Sequence, residues 1–125
     1  MSTKCILVID DEPNLCLVIQ ACLETIGNWQ VITAESGKKG LQLAQTEQPD
    51  AILLDVMMPD MDGLTLLKEL QKSPSTQKIP VILLTAKVFN NNITEFDQLG
   101  IAGVMAKPFD PMTLTKEVTK VLDWS

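Results

Sequence analysis

Continuous apolar runs of about five residues recur along this chain, each followed by a stretch of helical spacing, and that alternation constrains the fold more than any other feature. The runs are Cys5-Ile6-Leu7-Val8-Ile9, Val31-Ile32, Ala51-Ile52-Leu53-Leu54, Val81-Ile82-Leu83-Leu84 and the segment from Ala102 to Ala106. A strand with one wet face alternates apolar and polar residues. An unbroken apolar run is buried on both faces, which predicts a parallel sheet covered by helices. Between the runs, Leu15, Ile19, Cys22, Leu23 and Ile26 fall on one helical face, and Leu114, Val118, Val121 and Leu122 repeat the pattern. Gly27 and Gly100 stand where helices should stop, and Asp110-Pro111 offers an N-cap followed by proline at the first helical position. Ser36 and Asp62 are further N-cap candidates.

The expected order is five repeats of strand then helix, with helices at 13 to 27, 36 to 48, 62 to 72, 91 to 99 and 111 to 122. These elements use up the 125 residues, so the expectation is a single domain, 1–125, with no effector domain. With 46% hydrophobic residues the chain can bury a sizeable core, and no apolar run approaches the roughly 18 residues of a membrane span. The first residues lack a secretory pattern, so the expected location is cytoplasmic, away from any membrane.

Composition removes whole classes of chemistry. The chain has no histidine, which excludes histidine general-base catalysis, Ser-His-Asp and Cys-His nucleophile systems and imidazole metal ligation. Cys5, Cys16 and Cys22 are odd in number and lack CxxC spacing, so they are expected to be reduced, partly buried small hydrophobes. A net charge of -6 without a Lys/Arg cluster argues against direct contact with nucleic acid.

An open parallel sheet with right-handed crossovers binds ligands beyond the carboxyl ends of its strands, near the topological switch point. The residues expected there are Asp10-Asp11 after the first strand, Asp55 after the third, Thr85-Ala86 after the fourth and Lys107-Pro108 after the fifth. Three carboxylates brought together repel one another unless a cation compensates, and a hard divalent ion suits oxygen donors. Magnesium is commonly held by one or two carboxylates, waters and phosphate oxygens. Asp10 or Asp11, Asp55 and the backbone carbonyl of Met57 could supply the protein ligands. With Lys107 and the Thr85 hydroxyl, such a pocket suits a phosphoryl group, and Asp55 could attack phosphorus to give an acyl phosphate without any histidine.

The runs Val8-Ile9-Asp10-Asp11-Glu12-Pro13, Leu54-Asp55-Val56-Met57-Met58-Pro59-Asp60-Met61-Asp62-Gly63, Leu84-Thr85-Ala86 and Ala106-Lys107-Pro108-Phe109 together resemble the receiver domains of two-component response regulators, of the stand-alone, chemotaxis-regulator-like type. The resemblance covers essentially the whole chain. It implies a flavodoxin-like doubly wound (βα)5 fold with sheet order 2-1-3-4-5. By it Asp55 is the phosphoacceptor, Asp10, Asp11, Asp55 and the Met57 carbonyl hold Mg2+, and Thr85, the Ala86 backbone and Lys107 bind and report the phosphoryl group. The Lys107-Pro108 bond is implied to be cis. The implied donor is a phosphohistidine on a sensor histidine kinase or a histidine phosphotransfer protein, and the implied output is a protein partner docking on the fourth helix, fifth strand and fifth helix. Beyond self-phosphorylation and dephosphorylation, no enzyme activity is expected.

One family feature is missing. The aromatic switch residue expected three positions before the lysine is Val104, so coupling from Thr85 has no ring to rotate. Met57 and Lys87 occupy positions that vary with acyl-phosphate lifetime in the family. The methionines at 57, 58 and 61 are read as loop packing rather than soft-metal ligands, and Pro59, Asp62 and Gly63 as shaping the loop and capping the next helix. Leu17 and Val18 stand off the core stripe of the first helix as a docking patch, Val88 and Phe89 are assigned with Val104 to the face that changes on activation, and Trp29 and Trp124 are packing anchors. Two rival functions remain open: a phosphorylation-independent interaction module of the same fold, and a small magnesium phosphohydrolase. The second lacks an acid-base residue two positions after Asp55.

Overall fold

The computed structural model describes residues 4–56, 63–85, 100–106, 110 and 112–122. Five strands, β1 (Cys5–Ile9), β2 (Gln30–Ala34), β3 (Ala51–Asp55), β4 (Val81–Thr85) and β5 (Gly103–Ala106), form one sheet in the order β2-β1-β3-β4-β5, every neighbour parallel. The helices are α1 (Pro13–Thr25), α2 (Gly37–Glu47), α3 (Gly63–Lys72) and α4 (Leu114–Leu122). The helix expected at 91 to 99, with Pro111 and Trp124, lies outside the described residues. Among those residues no helix is long and apolar enough to cross a membrane.

The apolar runs of the inner strands β1, β3 and β4 are buried as their composition requires, β3 and β4 along their whole length, whereas the edge runs are covered less: Ile32, Gly103 and Val104 are half-buried and Ala102 is exposed. Strand alternation then sorts side chains into two cores. Ile6, Val8, Leu53, Ile82 and Leu84 pack with Cys16, Ile19 and Leu23 of α1 and Leu114 and Val118 of α4. Leu7, Ile9, Ile52, Leu54 and Leu83 pack on the other face with Ala44 of α2 and Leu66, Leu67 and Leu70 of α3. The chain runs from β1 outward to β2, then crosses back over β1 to β3, so the switch point falls between β1 and β3.

Several expectations need correction. The α1 core stripe is Cys16, Ile19 and Leu23, with Leu15 and Cys22 only partly buried, whereas Ile26 is exposed because the helix ends at Thr25 and Ile26 is its C-cap. Cys16 is fully rather than partly buried. Asn28, not Gly27, takes the left-handed conformation after α1. Gly27 is there for space, since a Cβ would lie 2.8 Å from the Leu23 carbonyl oxygen and 3.0 Å from Thr115 and Trp29. Gly100 does adopt a positive φ of 72° that side chains rarely tolerate. The last helix begins at Leu114, three residues late, because Asp110 caps a preceding turn: its Oδ1 accepts from Met112 N at 2.9 Å and its carbonyl from Thr113 N at 3.0 Å.

Other expectations hold. Ser36 caps α2, its Oγ accepting from Lys39 N at 3.2 Å. Ser36→Ala should lower unfolding stability by about 1 kcal/mol, read as a shift in urea midpoint at unchanged slope. Leu17 and Val18 are exposed on α1, and Trp29 packs at the edge of the α1/α4 core. All three cysteines are free. Burial pushes the Cys5 thiol up, with Asp50 and Glu47 adding repulsion against a thiolate.

Candidate functional site

The acidic residues gather because strand register delivers them. Ile9 pairs with Leu54 across β1 and β3, so Asp10 falls level with Asp55, the last residue of β3. Asp10 continues the ladder to β2, its N–H donating to the Ala34 carbonyl at 3.0 Å. Asp55 pairs in register with Leu84, and Val56 N donates to the Leu84 carbonyl at 3.1 Å. Thr85, the next residue of β4, lies at the same edge and pairs with Ala106 of β5.

Asp10, Asp11 and Asp55 each present a carboxylate oxygen within 4.8 Å of the others. Asp10 is wholly buried, Asp55 is 4% exposed and Asp11 is half-buried. Asp10 is firmly held: its Oδ1 accepts from Glu12 N at 3.0 Å and its carbonyl accepts from the Cys16 thiol at 3.4 Å. The first contact is a local turn that starts α1 and aims one carboxyl oxygen. Three acidic groups packed this closely, two of them almost without water, are a hard-oxygen donor set that fits a small divalent cation.

Asp10, Asp11, Asp55 and Thr85 are therefore brought together as the sequence implies. Met57, Ala86, Lys87, Val88, Phe89, Lys107 and Pro108 lie outside the described residues, as do Pro59 and Asp62. Val104 is half-buried and packs against the α2/α3 core, as Ile79 and Ile101 do. Two contributors had not been assigned to the site. Cys16 reads in sequence as one more apolar helix residue, and only its place six residues after Asp10 hints at contact with that carbonyl. Gly63, assigned to loop shape, seats the start of α3 against Asp55 and Val56, its N–H donating to the Val56 carbonyl at 2.9 Å.

A doubly wound parallel sheet of this order, with an acid triad at its switch point and a strand-end threonine at the same edge, is the architecture of a receiver domain. The chain belongs to the response regulator receiver domain family of two-component signalling, which matches residues 6–119. It is 37% identical over 117 residues to protein PilH of Pseudomonas aeruginosa, spanning 94% of this chain and 96% of PilH. It is 40% identical over 126 residues to the alkaline phosphatase synthesis transcriptional regulatory protein PhoP of Bacillus subtilis; the match takes in 95% of this chain but only 48% of PhoP. The chain thus spans about half the length of that relative and nearly all of PilH. Among solved structures, chemotaxis response regulator CheY4 of Vibrio cholerae superposes with a TM-score of 0.88 at 29% identity, over 96% of this chain and 99% of that one. The receiver domain of sensor histidine kinase PA1611 from Pseudomonas aeruginosa, solved with a magnesium ion coordinated in its active-site cleft, gives 0.83 at 27% identity, over 98% of this chain and 99% of that one.

Proposed function

We propose that this domain takes a phosphoryl group onto Asp55 from a phosphohistidine of a sensor histidine kinase or histidine phosphotransfer protein, in a magnesium-dependent reaction, and thereby changes its affinity for a protein partner in the cytoplasm. The observation that carries the proposal is the convergence of Asp10, Asp11 and Asp55 within 4.8 Å at the switch point. One carboxylate oxygen of Asp55 forms the new bond to phosphorus as the donor's phosphorus–nitrogen bond breaks, and the imidazole leaves. Asp10, Asp11, Asp55 and the Met57 carbonyl would hold the magnesium, which when bound neutralises the carboxylates and the phosphoryl oxygens.

Burial of Asp10 and Asp55 keeps competing water from much of the site, and the Glu12 N–H fixes the Asp10 carboxylate before any ligand arrives. Thr85 follows Leu84, the partner of Asp55, and is assigned the hydrogen bond to a phosphoryl oxygen, with the Ala86 backbone as a second donor. Lys107, following β5, is assigned the remaining neutralisation across a cis Lys107-Pro108 bond. Output docking is assigned to β5 and the helices before and after it. With valine at 104, packed on the α3 side of the sheet, the signal passes from Thr85 through main-chain shifts of β4 and β5 rather than through a ring.

Magnesium titration by calorimetry tests the metal half of this proposal. One site is expected, with a rise in unfolding stability of about 2.7 kcal/mol at a hundredfold excess over Kd. A chain that binds no magnesium would instead fit the phosphorylation-independent module.

A further inference from the structure

We propose that Gly63 is a positioning residue for the phosphoacceptor: having no side chain, it lets the first turn of α3 rest directly on the main chain of Asp55 and Val56, and so sets where the Asp55 carboxylate stands relative to Asp10 and Asp11. The inference rests on the assignment of Asp55 made above. A Cβ at position 63 would collide with the Asp55 carbonyl oxygen and lie 2.7 Å from Val56 Cα and 3.0 Å from the Val56 carbonyl oxygen. All three are backbone atoms, which cannot rotate aside as a side-chain end can. The Gly63 N–H donates to that same Val56 carbonyl at 2.9 Å, so the helix is both pressed against the strand end and tied to it.

Conformation does not explain the glycine. Among the described residues the only glycine at positive φ is Gly100. Position 63 is therefore open to any residue on backbone grounds, and alanine has the better helix propensity. What alanine lacks is space. Relief of the collision moves either α3 or the end of β3; α3 is anchored by buried Leu66, Leu67 and Leu70. The strand end is where a shift disturbs the acid triad, whose three oxygens already lie within 4.8 Å. Gly103, on the opposite end of the sheet, differs in kind: a Cβ there meets only the Val121 side chain, at 2.6 Å.

The experiment compares wild type, Gly63→Ala and Gly103→Ala, measuring magnesium Kd by calorimetry and, by intact mass, the initial rate of phosphoryl uptake from acetyl phosphate across magnesium concentrations. Gly63→Ala is expected to weaken magnesium binding roughly tenfold or more, as loss of a group that orients metal ligands does, and to shift the magnesium midpoint of uptake with it. Gly103→Ala should keep the wild-type Kd and midpoint even though it is less stable. Wild-type affinity in folded Gly63→Ala, or equal shifts in both variants, would overturn the inference. Wild type that binds magnesium but takes no phosphoryl group would refute the proposed function, while the Kd comparison still decides the role of Gly63. Should Gly63→Ala not fold, wild-type amide resonances decide it: the Gly63 N–H must move during magnesium titration while Gly103 stays, and a stationary Gly63 would overturn the inference.

Discussion

Asp55→Asn is expected to abolish phosphoryl uptake while leaving the fold in place. Asparagine has nearly the same shape as aspartate, so the almost fully buried site at the end of β3 keeps its packing and its backbone pairing with Leu84. What disappears is the nucleophile, since a neutral amide has no carboxylate oxygen to form the acyl phosphate. Neither neighbour can substitute. Asp10 has one oxygen engaged by Glu12 N and its main chain tied to Ala34 and Cys16, and Asp11 stands in the turn between β1 and α1, at a different strand end. Loss of one of three crowded negative charges also predicts no fall in thermal midpoint without metal. Intact mass after treatment with acetyl phosphate reads the first effect and calorimetric melting the second. An adduct of undiminished yield on the variant would place the acceptor elsewhere.

Asp11→Asn has the second largest expected effect, and it changes sign with the metal. Asp11 is half-buried and, among the described residues, its carboxylate accepts no main-chain hydrogen bond, unlike that of Asp10, which caps the turn into α1. Its removal takes one charge from the acid triad and, among the described residues, no structural hydrogen bond. Without magnesium the variant should be more stable than wild type, by about 1 kcal/mol for relief of like charges in a partly solvated site. With magnesium the order reverses: wild type gains stability and the variant gains little, its affinity falling roughly tenfold or more for want of one hard-oxygen ligand. Urea denaturation with and without magnesium separates the two effects. A variant that kept the full magnesium response would remove Asp11 from the site.

The sequence announces the sheet because continuous apolar runs admit few alternatives, and the helices because β1 to β4 must be covered on both faces. The site was legible for a related reason: in a doubly wound sheet, polar residues that directly follow buried strands converge, as Asp10 and Asp55 do. Less legible were features that depend on close backbone contacts between separate elements. Gly27 looked like a conformational stop and proves to be a place where Thr115 and Trp29 crowd the backbone. Gly63 looked like a loop residue and proves to sit against the main chain of Asp55 and Val56. Helix periodicity placed Ile26 in the core because it cannot see that α1 stops one residue earlier. Asp110 carries the right chemistry for a cap, but a pattern of residue types does not distinguish a cap on a helix from a cap on the turn before it.

The central claim is that Asp55 accepts a phosphoryl group with the help of a magnesium ion held among three aspartates. Intact mass of the wild-type protein after incubation with acetyl phosphate, with magnesium and with chelator, tests it most directly. The account predicts a single phosphoryl adduct that forms with magnesium, is absent with chelator and maps to Asp55. A folded protein that shows no adduct even when rapid turnover is trapped, or one that is modified equally well without magnesium, would contradict it.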